Sequence, residues 1–336
     1  NLSGVEGADD FTLTGALELG GVTGGVIIDT GSDSTGSDGA KDEVTVTLGS
    51  GADTFDVDAR NLTVAGQTQQ VGVRGNWTNH YSLAVLSSSA SDGDTLTVQG
   101  AGESDQLGLG AGPDGNRVQD SIDVILDGGA ADDTLTTVYS NVDLIGGDGT
   151  NDQAIIKGDP GTTGKPTINL SNQSVSVLRS GSLAHLASYS GVENVKIELG
   201  DAATGSNLTV QNTSGESLQV KGSTGADNIV VESVDATDQV TLNLTAGSNT
   251  VTLGNNGSLA LLAGSVTVNG GTGADKLTYD NANDATGRTP SVGATSVSGL
   301  PNPGSISFNS AIETVGLQLG LAVDQVTIGN LTRRIE

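Results

Sequence analysis

One pattern recurs along the chain: an acid or amide followed by x-φ-x-φ, where φ is apolar. It reads DDFTL (9–13), DEVTV (42–46), DTFDV (53–57), DTLTV (94–98), DQLGL (105–109), DSIDV (120–124) and ENVKI (193–197). It continues as ESLQV (216–220), DNIVV (227–231), DQVTL (238–242), NTVTL (249–253), DKLTY (275–279), ETVGL (313–317) and DQVTI (324–328). The starts at 42 and 53, 94 and 105, 216, 227, 238 and 249, and 313 and 324 are eleven residues apart. Random placement of acids would give only a few such matches, so this is an internal repeat. Each unit is a turn of roughly five or six residues and a strand of about five. Alternation sends one set of side chains inward and the other out. A unit this short cannot bury its apolar side alone and must stack on copies of itself.

The expected fold is therefore all-β: a right-handed parallel β-solenoid, β-helix or β-roll in style, with two or three strands per coil. Two elevens make a coil of 22 residues and three make 33. The competing architecture joins the same strands by hairpins into an antiparallel β-sandwich. Regular spacing and scarce two-residue Asn-Gly or Asp-Gly turns favour the solenoid. Composition agrees, since 51 glycines and eight aromatics do not suit a layered core of large rings. Valine, leucine, isoleucine and threonine suit narrow stacked sheets.

Residues 1–336 are expected to form one elongated repeat domain. Possible sub-blocks are 1–156 and 168–336, separated by a Gly/Pro loop at 157–167, with a loop excursion at 284–305; these two stretches hold five of the six prolines. The segment SLAHLASY (182–189) is the one place where a short helix is expected. The chain lacks methionine even at position 1, so it is expected to be a processed or excised piece. No apolar run approaches the length of a membrane span, and no membrane insertion by this piece is expected.

Net charge is −27 with only 13 Lys and Arg. Nucleic acid needs basic residues to neutralise phosphate, so it is not an expected partner. Aspartate outnumbers glutamate about threefold, beyond what solubility requires. Its short side chain bonds neighbouring backbone amides in turns and also ligates hard cations. With no cysteine, disulfides contribute nothing.

GGTGADKLT (270–278) fits the calcium-repeat nonapeptide G-G-x-G-x-D-x-U-x, and near matches are GSTGADNIV (222–230), LGSGADTFD (48–56) and GGAADDTLT (128–136). The candidate metal positions are Gly271, Gly273 and Asp275, Gly225 and Asp227, Gly51 and Asp53, and Asp133. Glycine opens turn conformations closed to other residues, and Asp with freed carbonyls can converge on Ca2+, which takes six to eight oxygens. The alternative is that each Asp only caps its turn by bonding backbone amides.

On these motifs, and on YSGVENVKI (189–197), LSGVEGADD (2–10) and FNSAIETVGL (308–317), the chain resembles the repeat-in-toxin family and large secreted bacterial proteins with degenerate GxGADxLTV repeats. The resemblance implies an extracellular, cell-surface location and a role in adhesion, surface layers or matrix. The unit here is eleven residues, whereas that family's calcium rolls repeat every nine.

Asn-x-Ser/Thr sequons offer glycosylation candidates at Asn61, Asn76, Asn169, Asn172, Asn207, Asn212, Asn243 and Asn256, with Asn1 and Asn330 at the extremes. GNWTNHYS (75–82) reads either as a plug or as a loop contacting glycan or receptor. His80 and His185 stand alone, and no nucleophile-elbow or zinc-protease pattern occurs, so no catalytic residue is expected. A polysaccharide lyase would be the natural enzyme, but it needs a basic, aromatic cleft. Head-to-tail self-association is expected from exposed end strands.

Overall fold

The computed structural model describes residues 2–3, 8–14, 26–30, 39–64, 67–77, 82–86, 92–110, 122–138, 140–158, 165–179, 182–200, 203–329 and 333–336. Among them there are thirty strands and no helix. The chain divides into two compact units, Asn1–Ile156 with Leu186–Glu193, and Lys157–His185 with Asn194–Glu336. In each unit the strands form long, mainly parallel ladders of β-solenoid kind.

The second unit is the more regular. Ser217–Lys221, Gln239–Asn243 and Ser265–Asn269 stack in parallel in a first sheet. Asn228–Val231, Thr250–Leu253 and Asp275–Asp280 stack in parallel in a second. Successive strands in sequence therefore alternate between the two sheets. Ser217 faces Gln239 and Asn228 faces Thr250, each 22 positions on, which is two repeat units. The step then lengthens, with Gln239 facing Ser265 and Val266 facing Ile306, because longer turns and the 281–305 excursion enter between rungs. Register survives these insertions because a slip of one residue would turn every apolar side chain outward.

The first unit repeats the scheme. Asp10–Leu13, Glu43–Thr47, Thr95–Gln99 and Asp123–Asp127 form one parallel ladder. Thr54–Val57, Gln106–Leu109 and Thr134–Val138 form another. A hairpin of eleven-residue strands, Thr54–Val64 and Gln67–Trp77, interrupts it with antiparallel pairing. Pairing in parallel, rung upon rung, favours stacking over the hairpin-joined sandwich.

The φ positions of the repeat form the core: Val44 and Val46, Leu96 and Val98, Leu218 and Val220, Ile229 and Val231, and Val240 and Leu242 are all buried. Each buried side chain of this size contributes about 1.5–3 kcal/mol relative to exposure.

Two expectations need correction. SLAHLASY is a strand within Ser182–Ser190, not a helix. His185, Ala187 and Tyr189 point inward at alternate positions, and Ala187 and Tyr189 pair with Val142 and Leu144, so sheet packing overrides helix-tolerant composition. The second is DQVTI: its φ residues Val326 and Ile328 are exposed, although the pattern places them inside. Residues 284–305 carry two short strands, Ser291–Val292 and Val297–Ser298, in a small third sheet with Thr327–Ile328. Of the 157–167 loop, 159–164 lie outside the described residues.

Candidate functional site

In most of the described repeats the opening acid has the same task, the exceptions being Glu216 and Asp238, which bond turn amides instead, with Asp238 N–H going to Asp235 O. The opening acid's carbonyl accepts the N–H of the first strand residue one rung further on, as Asp53 O does from Gln106 and Asp227 O from Thr250. Its own N–H points the same way, into the next rung's turn, where the chain has curved away from strand geometry. The carboxylate of the next acid takes the place of the missing carbonyl. A buried N–H left unpaired there would cost about 1–3 kcal/mol, so this position requires an acceptor at the end of a short side chain.

In the first unit Asp53 N–H donates to Asp105 Oδ1 at 2.7 Å and Asp105 N–H to Asp133 Oδ1 at 2.6 Å. Asp133 N–H then donates to Asp152 Oδ1 at 2.7 Å and Asp152 N–H to Glu193 Oε2 at 2.9 Å. A parallel series runs from Asp9 N–H to Asp42 Oδ1 and from Asp42 N–H to Asp94 Oδ1. In the second unit the order is Ser206 N–H to Asp227, Asp227 N–H to Asn249, Asn249 N–H to Asp275 and Asp275 N–H to Glu313, at 2.7 to 3.0 Å. The other carboxylate oxygen often closes the turn four residues upstream. Gly49 N–H donates to Asp53 Oδ2, Ala101 to Asp105, Ser223 to Asp227 and Gly271 to Asp275.

The turns themselves stack backbone on backbone. Gly273 has φ of 132°, and a Cβ there would stand 2.0 Å from Gly247 O; at Gly271 it would stand 2.3 Å from Thr245 O. The glycines of GGTGAD are thus required by the closeness of successive turns. Gly225 N–H bonds Ser223 Oγ, and Gly51 has open space around it.

Of the candidate metal positions, Asp53, Asp227 and Asp275 each accept a turn N–H on Oδ2, and the last two also accept a rung N–H or hydroxyl on Oδ1. Asp133 differs. It is buried, its Oδ1 accepts one N–H, and its Oδ2 has no partner; Asp152 Oδ2 on the next rung is in the same condition. Burial pushes the Asp133 carboxyl up to about 6, and the carboxylates of Asp105, Asp152 and Asp132 push in the same direction, against the Asp105 N–H. Asp105 and Asp152 are raised as well, burial again being the main cause. Among the described residues no three His, Cys, Asp or Glu side chains converge as a ready metal site. A cation at Asp133 and Asp152 would take the rest of its oxygens from carbonyls and water.

The sequons divide by placement. Asn172 and Asn256 are exposed at tight turns, both with φ of 48°. Asn169, Asn207, Asn212 and Asn243 are half-buried on or beside strands; Asn212 Nδ2 donates to Asn172 Oδ1 and Asn269 Nδ2 to Asn243 Oδ1. Asn61 and Asn76 lie in the hairpin strands, and Asn1 and Asn330 lie outside the described residues. Within GNWTNHYS, 78–81, including His80, lie outside them too, while His185 is buried.

Sequence reasoning overlooked Asp152 as a rung cap. Its segment DQAII fits the repeat once Ala154, which is fully buried, counts as apolar. No protein-family model matches the chain, and no curated protein matches its sequence.

Proposed function

We propose that the chain is an extracellular structural repeat protein, either a section of a large surface adhesin or the subunit of a surface filament or layer. In this reading each unit is a right-handed solenoid with two strands per coil where the spacing is regular. The observation that carries it is the ladder of acid caps. The motif that dominates the sequence is spent on joining one rung to the next, so the repeated chemistry builds length and stiffness. Outward positions carry Thr, Asn, Gln and charged residues suited to a hydrated surface, and Asn172 and Asn256 are the sequons best exposed for glycans. Electron microscopy of the concentrated chain tests this, with fibres or ordered arrays expected. Dispersed particles that retain a glycan would instead support a binding module.

A calcium-stabilised form of the same reading is favoured by the two unpartnered oxygens at Asp133 and Asp152. It predicts that chelator lowers the thermal midpoint of the first unit and that Asp133→Asn removes this response. An unchanged midpoint would leave the acids as amide caps alone.

A further inference from the structure

Late in its sequence the second unit has four edge strands; Val297–Ser298 adjoins the Ser296–Ser307 bridge, and the other three are finished differently. The edge strand Ile306–Phe308 is covered: Phe308 N–H donates to Thr295 O, Ser307 bridges Ser296, and the Arg333 guanidinium stacks 4.8 Å from the Phe308 ring. The edge strand Arg334–Ile335 is only two residues long and is flanked by ion pairs from Glu336 to Lys276 and Arg334. Short length and charge are the usual ways of blunting an edge. The third edge, Thr327–Ile328, is equally short but among the described residues has no such ion pairs beside it. Val326 and Ile328 are 43% and 54% exposed, while Val292, paired with Ile328, is fully buried. Leu321 and Val323 beside them are exposed further.

This strand is nonetheless built as a rung. Asp324 Oδ1 accepts the Arg288 N–H at 2.7 Å, as Asp105 and Asp275 accept the N–H of the preceding rung, and Gln325 and Thr327 donate to Arg288 and Pro290 carbonyls. Among the described residues it has a neighbour on one side only. A matching half-rung begins the first unit. Asp10–Leu13 is also an edge strand, and Phe11 and Leu13 are only half-buried although their partners Val44 and Val46 are fully buried.

Resting on the assembly reading above, we infer that Thr327–Ile328 docks the strand Asp10–Leu13 of a second copy of this chain in parallel. DQVTI then lies against DDFTL in repeat register, with Val326 beside Phe11 and Ile328 beside Leu13. The polarity agrees. In the ladder that begins at Asp9 the N–H of one acid goes to the carboxylate of the following rung, so Asp324 would stand to the incoming Asp9 rung as Asp9 stands to Asp42. Blunted edges elsewhere in the second unit and an apolar, rung-shaped edge here select this strand as the joint. The joint is heterologous, so it leaves each copy with one unused end and joins copies head to tail.

The absence of cysteine from the sequence makes the test clean. Thr12→Cys and Thr327→Cys are made in separate copies; both threonines are exposed and would be direct neighbours in the joint. Under mild oxidation the mixture should form a disulfide-linked heterodimer, whereas either variant alone should not cross-link. Adding Val326→Lys and Ile328→Lys to the Thr327→Cys copy should abolish the product. Cross-linking of Thr327→Cys with itself, or no heterodimer in the mixture, overturns the inference. If fibres still form from Val326→Lys/Ile328→Lys chains, assembly stands and this joint is wrong. If the unaltered chain sediments as a monomer up to its solubility limit, both fail.

Discussion

The two units cap their rungs with the same geometry but different chemistry. From Asp53 to Glu193 the first unit places acid upon acid without interruption. The second inserts Asn249 between Asp227 and Asp275. The Asn249 amide accepts from Asp227 N–H through Oδ1 and gives its Nδ2 hydrogens to Asp275 Oδ1 and to the carbonyls of Ala246 and Gly247. A stack of buried carboxylates satisfies N–H groups but accumulates like charge. An amide placed between two acids satisfies the same N–H groups and donates to the neighbouring carboxylate as well. Burial is the main reason the Asp133 carboxyl is raised, and the neighbouring carboxylates of the stack add to it.

The largest effects should ignore this difference, because both units stack their turns equally closely. A Cβ at Gly146 would lie 1.8 Å from Gly191 O, and one at Gly273 lies 2.0 Å from Gly247 O. Gly146→Ala and Gly273→Ala should each cost about 3 kcal/mol in denaturant unfolding, since backbone must move in both cases. A much smaller loss in one unit would mean that its turns are not in register.

Asn249→Asp sharpens the comparison by giving the second unit an uninterrupted acid ladder. It should cost about 2 kcal/mol at neutral pH, through the lost Nδ2 bonds and the added repulsion. Much of that should return on acidification.

In chelator, without calcium, Asp133→Asn makes the converse change and should stabilise the first unit by about 1 kcal/mol at pH 7. The unaltered protein carries the matching pH dependence. The Asp133 carboxyl titrates near 6 when folded and near 3.9 when unfolded, so the folded state holds its proton more tightly. Stability of the first unit should therefore rise as pH falls from about 6 towards 4, and Asp133→Asn should flatten that rise. Urea unfolding across the range measures both. The smallest effect belongs to the surface: Glu336→Gln, which removes pairs to Lys276 and Arg334, should leave the urea midpoint nearly unchanged, because exposed ion pairs contribute little.

Much of this architecture was legible because period and chemistry coincide. Alternating apolar residues after an acid marked most of the buried side chains, and the eleven-residue spacing left coils of 22 or 33 residues open, between which the pairing of Ser217 with Gln239 selects 22. The role of the acid was legible only as two alternatives, since an Asp in a glycine turn suits a cation and an amide equally well. What separates them is the position of the following rung, which local sequence does not encode. Asp152 escaped notice because small Ala154 weakens its pattern. SLAHLASY misled because its inward residues, His185, Ala187 and Tyr189, differ too much in character to mark one face. DQVTI carries the full motif yet remains uncovered, because the motif specifies a rung and not its neighbours.

Amide hydrogen exchange at the acid positions tests the central claim most directly, because turn amides without acceptors exchange quickly. The N–H groups of Asp105, Asp133, Asp227 and Asn249 should be protected as strongly as those at strand centres such as Val220 and Leu242, and Asp152→Ala should release Asp133 alone. Exchange of the four at the rate of the exposed turn amides would contradict the side-chain ladder that joins the rungs.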